Sequence, residues 1–283
     1  MKVLVLLLAV ALAQAAELPG TSVYGYLRGS VERLNELRRA PEKPHRIVGG
    51  VPAASGQYPH QAGILIDIIG ITHGQAVCGG SLISTNRVAT SAHCWYDGVN
   101  QAWKMNVILG TVQLFNGGTR VETSAIAMHP QWQPRLARND IAVVYLPNHL
   151  PVTDTIAPIA LPEGSELEED FVNVNAIASG FGITSDDGSI SEALNHVRLN
   201  VIANSACRIA FPLILQESNI CTSGIGGVSV CGGDSGGPLM VTRNNRPILI
   251  GVSSFTTAAG CEANLPSAYA RVTSFIDFLQ SNI

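Results

Sequence analysis

Residues 233–238 read Gly233-Asp234-Ser235-Gly236-Gly237-Pro238, an acid and a hydroxyl enclosed by glycines and stopped by a proline. Taken alone, this is a glycine-rich turn. Glycine lets a backbone bend through conformations closed to other residues, so a chain turning here could aim several N–H groups at one point beside Ser235. Two further stretches share this density of reactive groups. Thr90-Ser91-Ala92-His93-Cys94 follows a short apolar run, and Asn139-Asp140-Ile141-Ala142-Val143 carries an acid into one. Separately these read as a core histidine and a strand-initiating aspartate.

Together the three stretches supply what nucleophilic acyl transfer requires. A serine hydroxyl barely ionises at neutral pH and needs a base to take its proton as it attacks. Imidazole titrates in the right range, and a buried carboxylate fixes its tautomer and stabilises the imidazolium.

The surrounding sequence sets the fold. From Ile47 onward, short β-branched runs are split by Gly, Pro, Asn and Asp. Examples are Gly63–Ile66, Ser81–Ile83, Met105–Leu109, Ile141–Tyr145 and Ile248–Val252. Many short strands with regular turn signals predict an all-β barrel or sandwich. The exception is the C-terminus, where Val272, Ile276, Leu279 and Ile283 recur at steps of four, three and four about Thr273-Ser274, a capped amphipathic helix. The acidic stretch Pro162–Asp170 lies near the midpoint and reads as a link between two halves.

Composition narrows the class. The chain has 283 residues with 13% charged side chains, a net charge of −4 and a pI near 6.0, without the basic face of a nucleic-acid binder. Lys2, an eleven-residue apolar run from Val3 to Ala13, and the small residues to Ala16 have the three parts of a secretory signal peptide over 1–16. The run is short of the roughly 20 residues that span a bilayer, so an exported protein without a membrane anchor is expected. In an oxidising compartment the six cysteines suggest three disulfides, with fifteen possible pairings. No C-x-x-C pair or H-E-x-x-H run supports a metal, no cofactor motif is present, and no N-x-[ST] sequon occurs.

Residues 17–46 differ from the rest, with six basic side chains against four acidic ones. Val23, Leu27, Val31, Leu34 and Leu37 form a stripe at helical spacing before Pro41 and Pro44 break it. The segment reads either as a solvated arm or as a propeptide ending at His45-Arg46.

On these motifs, residues 47–283 resemble a chymotrypsin-like serine protease of the trypsin–chymotrypsin superfamily. The start Ile47-Val48-Gly49-Gly50 and the three stretches above match that family in order and spacing. Cys94-Trp95-Tyr96-Asp97-Gly98 and Ala178-Ser179-Gly180-Phe181-Gly182 are most similar to insect, particularly lepidopteran, digestive chymotrypsins. The resemblance implies two antiparallel six-stranded β-barrels, about 47–162 and 171–283, packed with the active site between them, plus the C-terminal helix. It implies His93 as general base, Asp140 as its orienting carboxylate, Ser235 as nucleophile, and the N–H groups of Gly233 and Ser235 as oxyanion hole. It pairs Cys78 with Cys94, Cys207 with Cys221 and Cys231 with Cys261. With no cysteine in the leader, nothing tethers it after cleavage.

The resemblance also implies activation. Cleavage after Arg46 by a trypsin-like enzyme frees the Ile47 ammonium, which inserts beside Asp234 and orders the pocket. Burial against that carboxylate raises the ammonium pKa, so the pairing holds at neutral pH and is lost as pH rises through the raised value. At the pocket base stands neutral Ser229, against a preference for Lys or Arg. Thr256 and Ser267 replace the usual wall glycines, and Thr256 narrows the entrance toward Leu or smaller residues. Ser254, Phe255 and Thr256 would offer backbone to an extended peptide, with Ser254 supporting Asp140. Ser91, where alanine is commoner, is expected to be a tolerated change.

The expected function is therefore a secreted, monomeric zymogen of a digestive endopeptidase, acting on polypeptides in a gut lumen and subject to proteinaceous inhibitors. Cleavage after large apolar or aromatic residues is the first choice, and elastase-like or collagenolytic cleavage the second. A catalytically dead homologue acting as a binding protein is disfavoured because all three triad residues are present. A regulatory cascade protease is disfavoured because the cysteine-free leader has no room for a clip module. After Arg46 the chain carries nine arginines and one lysine, Lys104, against seventeen acids, which suggests adaptation to an alkaline lumen.

Overall fold

The computed structural model describes residues 23, 25–37 and 49–283. The expected signal peptide at 1–16 and the Arg46–Ile47 junction lie outside the described residues. Eight strands precede the acidic midpoint: β1 (Val51–Pro52), β2 (Gln61–Ile68), β3 (Ala76–Ser84), β4 (Arg87–Thr90), β5 (Ala102–Leu109), β6 (Thr119–Thr123), β7 (Ile126–Met128) and β8 (Ala142–Tyr145). Six follow it: β9 (Asn175–Gly180), β10 (Asn195–Ile202), β11 (Asn219–Thr222), β12 (Pro238–Arg243), β13 (Arg246–Phe255) and β14 (Ser267–Arg271). Three α-helices are described, α1 (Tyr26–Leu37), α2 (Asn204–Ala210) and α3 (Ile276–Ser281).

The strands form two antiparallel sheets. The first runs β6-β5-β2-β3-β4-β8-β7, and the second runs β1-β10-β11-β14-β13-β12-β9. In the second, six residue pairs between β9 and β10, from Asn195 opposite Gly180 to Asn200 opposite Asn175, close a barrel of six strands. Strand β1 hydrogen-bonds to the outside of that barrel, so the chain touches the second sheet before it builds the first. Each apolar run quoted from the sequence lies in a strand or borders one, because its β-branched side chains fill a two-sided interior. Strand β2 is the clearest case: all but Asp67 of its eight residues are buried. The stretch 162–170 does join the two sheets, and it contains a short 3-10 turn at 164–168.

The C-terminal segment begins as a 3-10 turn, 272–275, and becomes helical only from Ile276, with no side-chain cap. Val272, Phe275 and Leu279 are its buried anchors, while Ile283 is exposed. The stripe therefore follows the tighter 3-10 step from Val272 to Phe275 rather than the fourfold spacing expected.

Helix α1 is not a solvated arm. The stripe is buried at Leu27, Val31 and Leu34 within the helix and at Val23 in the turn before it. Leu27 and Val31 pack with first-sheet residues including Ile66, Ala76 and Leu82. Leu34 packs in the cluster holding Ile183, Ile190 and Cys231 from the second half, and Val23 in that of Phe255 and Ala137. The helix thus spans the groove between the sheets. Its free N-terminal N–H groups, which carry partial positive charge, meet a carboxylate: the Leu27 N–H donates to Asp97 Oδ2 at 2.9 Å.

Candidate active site

His93 and Asp140 approach from opposite ends of the first sheet's chain. His93 sits in a single 3-10 turn, 92–94, directly after β4, and that turn is fixed by the disulfide from Cys94 to Cys78 in β3. Asp140 enters β8, which pairs with β4 in the same sheet. The imidazole Nδ1 lies 2.7 Å from Asp140 Oδ2, and the His93 backbone N–H donates to Oδ1 at 2.9 Å. Both residues are buried. A carboxylate that holds ring and backbone together leaves the imidazole one orientation, with Nε2 turned away from Asp140.

A third residue completes this support. The β13–β14 register shifts between Ser253 and Phe255, a bulge that re-aims the intervening side chain. Ser254 Oγ donates to Asp140 Oδ2 at 2.5 Å. The hydrogen bond read from resemblance is therefore present, and its structural cause is the bulge.

Ser235 lies between β11 and β12 on the second sheet and is tied to the first. The Gly79 N–H of β3 donates to the Ser235 carbonyl at 2.7 Å, and the Gly236 N–H donates to the Ser253 carbonyl at 2.8 Å. Gly233 is required by its backbone: φ is +97°, and a Cβ would stand 2.5 Å from Ile190 and 2.9 Å from Gly182 Cα. That conformation turns the Gly233 N–H outward, where it donates to the Tyr26 hydroxyl at 2.9 Å. His93 Nε2 has no hydrogen-bond partner among the described residues. The Tyr26 ring instead meets the imidazole edge-on, with centroids 4.7 Å apart.

Asp234 is wholly enclosed. Its carboxylate accepts from the Gly182 N–H at 2.8 Å and the Cys231 N–H at 2.9 Å. Burial pushes its pKa up to about 7, which those two N–H groups offset only in part. Gly182 is tied to this site by space, since a Cβ there would stand 2.4 Å from the Asp234 carboxyl carbon.

The residues expected to set specificity separate into two depths. Ser229 and Ser267 are buried with hydroxyls 2.8 Å apart; Ser229 donates to the Val230 carbonyl, leaving Ser267 to donate within the pair. Thr256 lines a cavity of about 350 Å³, bounded by Arg33 and Tyr26 of the leader, Gly232, Gly233 and the turn to Cys261. Ser229 and Ser267 do not line it. Phe255 is buried edge-on against Phe211. The remaining cysteines pair as Cys207 with Cys221 and Cys231 with Cys261. Disulfides persist in oxidising compartments, and three of them fit an extracellular protein.

Three contributors were not legible in the sequence. Ser91 Oγ donates to the Ser253 carbonyl at 2.6 Å, stapling the histidine turn to the opposite sheet. Asp97 seats the leader helix. Tyr26 reaches the site from the leader, one position beside the apolar stripe. Tyr26, Ser30 and Arg33 recur at steps of four and three, a polar line parallel to the leucines, and that line was the available signal.

This fold and geometry have counterparts among known proteins. The family described as Trypsin matches residues 47–279. A collagenase of Hypoderma lineatum is 39% identical over 238 residues, covering 84% of this chain and 87% of that protein. Brachyurin of Leptuca pugilator is 35% identical over 241 residues, covering 83% and 97%. A solved structure of HL collagenase superposes with a TM-score of 0.75 at 38% identity, covering 83% of this chain and 98% of its own. The two-sheet fold with a serine, a histidine and an aspartate gathered at its groove is that of a chymotrypsin-like serine endopeptidase. The chain belongs to the trypsin family.

Proposed function

We propose that this chain is the secreted zymogen of a digestive serine endopeptidase that cleaves polypeptides through Ser235, His93 and Asp140. The observation that carries this reading is the Asp140 carboxylate, which binds the His93 ring, the His93 backbone and Ser254 at once. In the active form, Ser235 Oγ attacks the scissile carbonyl as His93 Nε2 takes its proton. The oxygen then becomes negative opposite the N–H groups of Gly233 and Ser235, and His93 returns the proton to the leaving amine. Asp140 and Ser254 keep the ring in the tautomer that leaves Nε2 free.

Activation is cleavage after Arg46 by a trypsin-like enzyme, and the new Ile47 ammonium pairs with Asp234. The buried carboxylate supports this, since it has no cationic partner among the described residues and burial raises its pKa. The neutral Ser229–Ser267 pair supports cleavage after apolar side chains, with Thr256 limiting their size. The second reading, elastase-like or collagenolytic cleavage, is favoured by relatives named collagenase and brachyurin. An alkaline working lumen is supported by Lys104, whose ammonium lies 3.0 Å from Glu122 and 3.2 Å from Asp67 and is pushed up by both. Inhibitors and a monomeric state complete the proposal.

The test is to treat the full chain with trypsin and offer peptide amides ending in Phe, Leu, Ala or Arg, with Ser235→Ala as control. Hydrolysis of Phe and Leu amides only after cleavage at Arg46 supports the first reading, and a dominant Ala signal supports the second. No turnover despite a correct Ile47 terminus overturns both and restores the binding-protein alternative. Loss of activity and fold at pH ~9, where an arginine-charged surface should persist, would sink the alkaline setting.

A further inference from the structure

The leader helix makes contacts that its removal by cleavage alone does not require. Tyr26 uses its whole side chain at the reactive groups. The ring packs edge-on against His93, while the hydroxyl accepts from the Gly233 N–H and donates to the Val77 carbonyl at 2.9 Å. Burial keeps the phenol protonated. One turn on, the Ser30 hydroxyl accepts from the Val77 N–H at 2.8 Å. A hydroxyl therefore occupies the point at which a negative oxygen would form, with no carbonyl carbon beside it to attack.

The anchoring is as extensive as the blockade. Leu27 and Val31 sit in the core of the first half, and Leu34 and Val23 in clusters that draw residues from both halves. Asp97 accepts from the Leu27 N–H at the helix start. The helical backbone satisfies its own hydrogen bonds, so it cannot add to a sheet edge as an extended substrate does. This seat is specific for a helix with an apolar stripe flanked by Tyr26, Ser30 and Arg33.

We propose that the leader helix is an active-site-directed inhibitor of its own protease, holding the site by these contacts and still able to bind after cleavage at Arg46. This rests on the zymogen reading above. An isolated helix of this length is marginal in water, so a released leader pays to fold on rebinding and its affinity is modest. Inhibition in trans therefore operates where the leader is concentrated and ends on dilution. Cleavage and dilution become two separate conditions for activity.

The experiment uses the full chain, nicked after Arg46 by trypsin and not separated from its leader. Peptide-amide hydrolysis per mole should rise about tenfold between micromolar and nanomolar enzyme, the change expected when a bound inhibitor dissociates. The Tyr26→Ala chain should show no rise, and the exposed-face control Arg28→Ala should behave as the parent. A labelled 17–46 peptide should bind the cleaved Ser235→Ala protein, which cannot digest it, and the Tyr26→Ala peptide should bind at least about tenfold more weakly. The binding result decides the proposal: no association, or equal affinity of the two peptides, overturns it whatever the activity shows. Binding without hydrolysis of any amide leaves the leader's seat standing and overturns the endopeptidase reading instead.

Discussion

The Ser254 hydroxyl and the Asp140 carboxylate lie 2.5 Å apart, joined across the groove by a bulge in β13. Strand β13 belongs to the second sheet and Asp140 to the first, so the carboxylate that orients His93 is itself oriented by the opposite half of the molecule. Hydrogen bonds to charged groups contribute about 1.5–3 kcal/mol. Ser254→Ala should therefore lower kcat about tenfold or more in the cleaved enzyme, with KM for small amides nearly unchanged. A KM rise with kcat intact would show that Ser254 serves substrate binding instead.

Ser91 and Ser253 form a second connection between the halves. The Ser253 carbonyl also accepts from the Gly236 N–H. Removing the Ser91 hydroxyl therefore leaves no acceptor stranded, and the loss is that of one buried hydrogen bond, about 1 kcal/mol. Urea unfolding of Ser91→Ala, made in a Ser235→Ala background to prevent self-digestion, should show that decrement. Full parental stability would return Ser91 to the tolerated change expected from sequence.

Specificity should respond to Thr256 more than to the buried serine pair. Thr256 lines the cavity and Ser229 and Ser267 do not. A methylene in an apolar pocket is worth roughly 1–3 kcal/mol of discrimination. Thr256→Gly should raise kcat/KM for Phe and Tyr amides relative to Leu by about tenfold. An unchanged ratio would place the size limit deeper, at Ser267.

Two buried groups give the uncleaved chain opposing pH dependences. Asp234 is pushed up to about 7 by burial, so the folded protein holds its proton more tightly than the unfolded chain. Its contribution is fully present at acid pH and is lost as pH rises toward 7, by up to about 4 kcal/mol. His60 is pushed down to about 4 by burial, with neither ring nitrogen hydrogen-bonded, so it favours folding above the ordinary histidine range and loses that contribution as pH falls toward 4. The two ramps cancel over much of pH 4 to 7. Asp234→Asn should remove the falling ramp, so that melting temperature climbs with pH across this window more steeply than in the parent. Parallel curves for the two proteins would mean that Asp234 is already paired in the uncleaved state.

Much of this was readable in the sequence, for physical reasons that also mark where reading stops. The apolar runs gave the strands because a buried sheet admits little but β-branched and aliphatic side chains. His93, Asp140 and Ser235 stood out because each sits at a strand boundary or in a turn that forces glycine. The leader's stripe gave a helix, and that helix exists. Its destination was not legible, since a stripe states that a face is buried without naming the partner. Tyr26 carries no local signal of its role, because its partner, the Gly233 N–H, lies 207 residues away in the chain. Ser91 was weighed as a small substitution because its acceptor, the Ser253 carbonyl, is 162 residues away in the chain. Helix α2 left no clear pattern either, as only Cys207 of its seven residues is buried.

The span of α1 across the groove bears on how the molecule assembles. Side chains from one short segment insert into interiors that belong to both halves, so the helix fixes their relative placement while either could still slide. A chain shortened to begin at Ile47 must bring those halves together over an apolar trough with nothing to fill it. It should refold in lower yield than the full chain, and supplying the separate leader peptide during refolding should restore part of that yield. Under the proposed activation, the segment then removed would have acted first as a jig.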